Sequence, residues 1–144
     1  FLMGKSISIQ PANTDALRKA IFEVRREVFV KEQEVNQEEE YDEYDLSSNH
    51  LAALIGDVVV GTCRFRKAEK GIKLERFAVL RDYRGMDIGE NLLLYCLSSV
   101  QKEATVYLHA QIQVVDFYSK YGFEKQGEMF EEAGIKHYKM VLHK

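Results

Sequence analysis

The run Glu75-Arg76-Phe77-Ala78-Val79-Leu80-Arg81-Asp82-Tyr83-Arg84-Gly85-Met86-Asp87-Ile88-Gly89 decides the fold. Its first residues end a strand-like stretch over 72–79. After it, Leu92, Leu93, Cys96, Leu97 and Val100 recur at helical spacing. A strand therefore feeds a helix through a short loop holding Arg81, Arg84, Gly85 and Gly89. Free N–H groups and the positive end of the dipole meet there, and glycines let an anion approach the backbone. The loop is neither G-x-x-x-x-G-K-[ST] nor G-x-G-x-x-G. By itself it fits turn chemistry as well as phosphate binding.

Upstream, residues 6–10 alternate as a strand that Pro11 ends. Asn13 or Thr14 caps a helix carrying Leu17, Ile21, Val24 and Val28 on one face and reaching about Lys31. Runs over 50–56 and 58–66, parted by Gly56-Asp57, read as a hairpin, and Lys70-Gly71 makes the next turn. Downstream, 105–110 is strand-like, a short helix over 114–121 closes at Gly122, and 123–130 and 137–142 are final strands with Gly134 in the turn. The order β-α-β-β-β-α-β-α-β-β is that of a mixed α/β (α+β) sheet, not of a parallel doubly wound one.

Composition narrows the function classes. With 46% hydrophobic and 30% charged residues the chain is ordinary globular material, of a length for one domain. Phe1 and Leu2 stand ahead of Met3 and are expected to be additions, leaving a single domain over 3–144. The apolar run 51–55 is far short of a membrane span, and no secretory leader opens the chain. At a formal charge of −3, a nucleic-acid partner is not expected either. Cys63 and Cys96 lie in apolar patterns outside any C-x-x-C pair, so they read as buried thiols of a reduced, cytoplasmic protein. No metal-ligand spacing occurs. Residues 31–45 hold eight acids and one lysine, a net of −7 that leaves +4 elsewhere. That stretch reads as a solvated loop, or as a rim selecting cationic substrates.

Three motifs come in a set order: 75–79, then 84–89, then Asp116-Phe117-Tyr118-Ser119-Lys120-Tyr121-Gly122-Phe123. Together they resemble the GNAT superfamily of acyl-CoA-dependent N-acetyltransferases, whose pyrophosphate loop reads Q/R-x-x-G-x-G/A and whose penultimate helix carries F-Y-x-K-x-G-F. The second motif is matched in full, and the resemblance extends over nearly the whole chain. The stretches 28–33 and 127–137 are similar to a small bacterial branch, some of whose members are labelled glucosamine-phosphate acetyltransferases. Asp87 departs from the pattern, standing where the family has its central glycine; Asp tolerates that backbone region and can cap the helix. Gln111 stands where many relatives have Asn.

The resemblance implies a sheet of six to seven strands with about four helices, splayed between 72–79 and 105–110 to admit acetyl-CoA. It places Phe77, Ala78 and Val79 along the pantetheine arm, with Gln111 beside it, and the N–H groups of Arg84, Gly85, Met86, Asp87, Ile88 and Gly89 on the pyrophosphate. Tyr118 is the implied proton donor to the departing thiolate. For the general base the residues offer Glu75 or His137, both also acceptor-side candidates; each has a plain packing or surface alternative. His109 and His50 read as structural. Arg25, beside the Ile21/Val28 stripe, is the candidate for an anionic group of the acceptor, with Arg64 and Arg66 as similar candidates. The expected activity is acetyl transfer from acetyl-CoA to a primary amine of a small molecule, such as an amino sugar phosphate. The alternatives are a non-catalytic acyl-CoA-binding module and a protein or peptide acetyltransferase. A homodimer is implied by resemblance alone.

Overall fold

A computed structural model describes residues 6–143. Phe1 and Leu2 lie outside them. The strands β1 (Ile7–Pro11), β2 (Asn49–Ile55), β3 (Val58–Ala68), β4 (Gly71–Val79), β5 (Val106–Gln111), β6 (Phe123–Lys125), β7 (Phe130–Glu132) and β8 (Ile135–Leu142) form one sheet. Its order is β1-β2-β3-β4-β5-β8-β6, with β7 also pairing β8. Among the described residues, only β4 and β5 pair in parallel. The helices are α1 (Asp15–Arg25), α2 (Gln37–Glu40), α3 (Ile88–Ser99) and α4 (Val115–Ser119). The mixed sheet matches the expected class. The run 123–130 differs, because positive φ at Gly127 falls between β6 and β7 and breaks it.

Thr14 is the cap of α1, its hydroxyl accepting from the Leu17 N–H at 3.1 Å. The helix then widens into a π-helical segment, Arg26–Glu32, instead of running on as one α-helix to Lys31. Val28 and Phe29 are both buried there. The start of β4 is fixed by Gly71 at φ 138°, where a Cβ would lie 2.4 Å from the Thr105 carbonyl oxygen. Only glycine lets the two segments approach so closely, and the Ile72 N–H then donates to that oxygen at 2.8 Å.

One irregularity shapes the sheet. Thr62 pairs with Ala78 and Arg64 with Glu75, so Arg76 and Phe77 together oppose Cys63. This is a β-bulge, with Arg76 in the left-handed region at φ 60°. The parallel pairing of β4 with β5 stops just before it, at Leu74–Leu108. Beyond that point the strands part, as the resemblance implied.

The main core lies on the α3/α4 side, with Leu92, Leu93, Leu108 and Phe123 at 2% exposure or less. Cys63 and Cys96 are buried in it, Sγ to Sγ 3.4 Å. Burial pushes the Cys63 thiol well up. On the other face, α1 packs Ile21 and Val24 over the sheet. No helix of the described residues is long and apolar enough to cross a membrane.

Candidate active site

The parting of β4 and β5 opens a cleft of about 1030 Å³. Val79 and Phe77 line one wall, Ala110 and Gln111 the other, and the loop ahead of α3 closes one end. The Leu80 N–H donates to Val60 on β3 at 2.9 Å. Strand alternation therefore turns the N–H groups of Val79 and, two residues earlier, Phe77 toward the gap. The Val79 carbonyl is engaged by Arg84 Nε at 3.0 Å. Ala78 points the other way, into the cluster of Val24, Val28 and Phe29.

At the loop, Asp87 takes the helix N-cap position at φ 63°, and its carboxylate accepts no hydrogen bond from the helix N–H groups. It adopts the backbone of the missing glycine, but the expected side-chain cap does not form. Its carbonyl accepts instead from Asn91 N–H and Nδ2 at 3.0 and 2.7 Å. Gly85, at φ 82°, has open space where a Cβ would stand, and a Cβ on Gly89 would meet only Phe117 Cζ at 3.8 Å. An uncrowded backbone with the unpaired N–H groups of a 12-residue helix fits a pyrophosphate. A smaller cavity of about 280 Å³ adjoins it, lined by Gly85, Asp87, Ile88, Gly89, Lys120 and Tyr121. Ile88 is buried and Met86 packs against the core, so their main chains serve this surface. The Arg84 guanidinium is not aimed at an anion here. It grips Glu32 with Nη1 and Nη2 at 2.6 and 2.7 Å, and this hydrogen bonding holds the Glu32 carboxyl below its ordinary range.

Tyr118 lines the cleft from α4, its ring edge-on to Phe77 at 5.8 Å. Burial, with Cys63 and Cys96 nearby, pushes its phenol far up, so it stays a protonated donor. Gln111 spans the far wall: Nε2 donates to Gln33 at 2.9 Å and Oε1 accepts from Gln113 at 2.6 Å.

The charged candidates fall out differently from expectation. Arg25 is 1% exposed and does not reach the cleft. It bonds Glu40 through Nε at 2.6 Å and Asp45 through Nη1 at 2.7 Å, so it is an internal counter-ion and not an acceptor-binding arginine. Arg64 is equally sealed, between Asp42, Asp45 and Glu75. The acidic stretch is thus neither simply solvated nor simply a rim. Glu40, Asp42 and Asp45 turn inward to neutralise Arg25, Arg64 and Arg76, while Glu38 and Glu39 remain exposed at the cleft edge. Burial pushes the Glu40 carboxyl up; for Asp42 and Asp45 burial is outweighed by the arginines, which hold both below the ordinary range.

Glu75 lines the cleft but accepts from Arg66 Nε at 2.7 Å and Arg64 Nε at 3.2 Å, and is ion-paired with Lys73 Nζ at 3.1 Å. Its burial is overcome by these cations and the carboxyl sits below its ordinary range. A carboxylate so saturated is a counter-ion, and the expectation of a general base there fails on that geometry. His137 lines the cleft, stacked on Phe130 at 5.8 Å, with its Nδ1–H on the Ile135 carbonyl at 2.7 Å. Its Nε2 lies 3.9 Å from Glu132. Beside it stands a residue read from sequence as structural: His109, whose Nδ1 meets Glu132 Oε1 at 3.1 Å. Both His109 and Glu132 line the cleft. The signal was strand parity, since His109 shares a face with Tyr107 and Gln111, opposite the buried Leu108 and Ala110.

The acetyltransferase (GNAT) domain family matches residues 12–144. The uncharacterized N-acetyltransferase YjcF of Bacillus subtilis is 38% identical over 133 residues, covering 90% of this chain and 94% of that protein. The crystal structure of Escherichia coli ElaA superposes with a TM-score of 0.86 at 26% identity, over 96% of this chain and all of that one. An acyl-CoA N-acyltransferase from Pseudomonas aeruginosa gives 0.83 at 25% identity, over 97% and 100%.

Proposed function

We propose, for a chain that belongs to the GNAT acetyltransferase family, that it moves the acetyl group of acetyl-CoA directly onto a primary amine of a small molecule. The observation that carries this reading is the gap between β4 and β5, which joins the uncrowded N–H groups at the start of α3 to Tyr118 and to a polar chamber beyond. When bound, acetyl-CoA supplies an activated acyl group. The chain's own residues do the rest. The loop from Gly85 to Gly89 holds the pyrophosphate through its backbone. The Val79 N–H, turned into the gap, is placed to polarise a carbonyl, and such donors are worth about 2.7–4 kcal/mol where charge develops. The Tyr118 hydroxyl gives its proton to the departing sulfur.

Asp87 adopts the left-handed backbone of the glycine it replaces, which supports a loop still competent for its ligand over a non-catalytic module. With Glu40, Asp42 and Asp45 turned inward, the attraction for a basic peptide is weaker than the sequence suggests, and this favours a small acceptor. Arg66 and Lys73, both paired with Glu75, line the acceptor chamber and are the cations an amino sugar phosphate would meet there once Arg25 is sealed. Calorimetric titration of acetyl-CoA and CoA tests the first half: micromolar binding is expected. Thiol release with glucosamine 6-phosphate, polyamines and a basic peptide tests the second. Binding without acetylation of any amine would leave a binding module, and acetylation of the peptide alone would move the acceptor class.

A further inference from the structure

We infer that His109 is the group that takes the proton from the acceptor amine, and that Glu132 is its positioning residue. This rests on the acetyl-transfer reading above and names the base that reading lacks. An alkylammonium of pKa about 10.4 costs roughly 4–5 kcal/mol to neutralise at pH 7, so a proton acceptor at the cleft matters.

Three observations converge on His109. Its place comes first: it follows Leu108, the last residue of β5 paired with β4, so its ring stands where the strands begin to part. Strand parity turns it to the face of Tyr107 and Gln111, the chamber side, where it lines the cleft with its side chain 23% exposed. Second, a carboxylate can only accept, so the 3.1 Å contact to Glu132 fixes the proton on Nδ1. Nε2 then carries the lone pair, in the manner of an imidazole oriented by a carboxylate. The hydrogen bond from His109 in turn pulls the Glu132 carboxyl down to about 2, so it stays an acceptor across the working range. Third, the ring is held: Phe130 packs edge-on at 4.9 Å, and His137, its cross-strand neighbour, stacks on the same Phe130 ring at 5.8 Å. Glu132 reaches this place because Ala133 and Gly134, at φ 53° and 74°, make a tight two-residue turn between β7 and β8.

The rivals are occupied. Glu75 neutralises three cations, and His137 lies at 6% exposure behind Glu132. The charged and titratable groups around the pair are Lys73 and Glu75 on β4, Tyr107 on β5, and His137 and Lys139 on β8.

In the step, one ammonium proton passes to Nε2 of His109. The freed nitrogen forms the C–N bond, and the C–S bond breaks. The sulfur takes a proton from Tyr118, the second nitrogen proton restores the phenol, and the imidazolium returns its proton to solvent. One ammonium and one thioester give one amide, one thiol and one proton.

The test is the pH profile of kcat for thiol release, with the amine from the panel that reacts fastest. Acetyl-CoA affinity and thermal unfolding are measured alongside on each variant. His109→Gln is expected to lower kcat about 10²–10⁴-fold and to abolish the acidic limb, with acetyl-CoA affinity and folding retained. Glu132→Gln is expected to lower kcat less and to keep the limb. A limb that survives in His109→Gln overturns the assignment, as does a limb lost in His137→Gln or Glu75→Gln instead. Failure to acetylate any amine, in a protein that binds acetyl-CoA, removes the transfer reading and this base with it.

Discussion

Replacing Arg25 by Met separates two accounts of that residue. In the structure Arg25 neutralises Glu40 and Asp45 in a sealed site, with its guanidinium also 5.1 Å from the Phe22 ring centre. Breaking a buried pair from one side costs about 3–5 kcal/mol, because a charge is left without its partner. Here neither carboxylate is abandoned. Glu40 keeps Arg76 Nε at 2.9 Å, and Asp45 keeps Arg64 Nη1 at 2.7 Å. The low end, about 3 kcal/mol, is therefore expected. At about 2–4 °C per kcal/mol, Tm falls by roughly 6–12 °C. That is a large part of a total stability of about 5–15 kcal/mol, but the chain still folds. Thermal unfolding followed by circular dichroism reads the shift. Removing the acid as well, in Arg25→Met with Glu40→Leu, should restore much of the loss, since apolar replacements of buried pairs are often neutral. An unchanged Tm together with a raised acceptor KM would refute this reasoning and return Arg25 to the binding site.

Tyr118→Phe should lower kcat about 10²-fold or more while acetyl-CoA affinity holds, read by thiol release and calorimetry; unchanged turnover would remove the phenol from the reaction. Asp87→Gly should tighten acetyl-CoA a few-fold at unchanged stability, whereas Asp87→Ala should lose about 1–2 kcal/mol by forcing an ordinary side chain to φ 63°; equal stabilities would contradict the backbone argument. Acid should destabilise the protein through Asp42, Asp45, Glu75 and Glu132, whose folded carboxyls lie below their unfolded values. Their contribution is present above the unfolded carboxyl range, about pH 4, and lost as pH falls through the folded values, down to about 2 for Glu132. Glu40 has the opposite sign and offsets part of it. A Tm flat from pH 6 to pH 2.5 would exclude this linkage.

What the sequence discloses is local. The 72–79 strand, the loop at 84–89 and the helix after it are written in short-range patterns, and the structure returns them nearly residue for residue. The strand pair separated by Gly56-Asp57 is legible for the same reason; at the C-terminal end the sequence shows the turn at Gly134 but not the short strand 130–132 that precedes it. The bulge at Arg76 is not, because nothing marks an arginine for positive φ; it is held from outside, by Glu40 at 2.9 Å and Asp42 at 3.1 Å. Nor do apolar spacings distinguish α from π winding over 26–32, since either buries Val28 and Phe29. The inward turn of the acidic segment depends on partners 15 to 36 residues away, which composition reveals only as an excess on each side. His109 was hidden by its neighbours. In a six-residue strand with Val106, Leu108 and Ala110, its polar face shows only when the parity is followed.

The parted strands leave β4 with an open edge inside the sheet. The N–H groups of Phe77 and Val79 have β3 on the other side of their strand and solvent in the gap, whereas those of Ala78 and Leu80 face β3. Neighbouring amides of one strand should then exchange with deuterium at alternating rates in the free protein, fast at 77 and 79 and slow at 78 and 80. A pantetheine arm lying in the gap would act as the missing strand and erase the alternation. The sheet would be completed by its own substrate at each turnover and reopened with each product released.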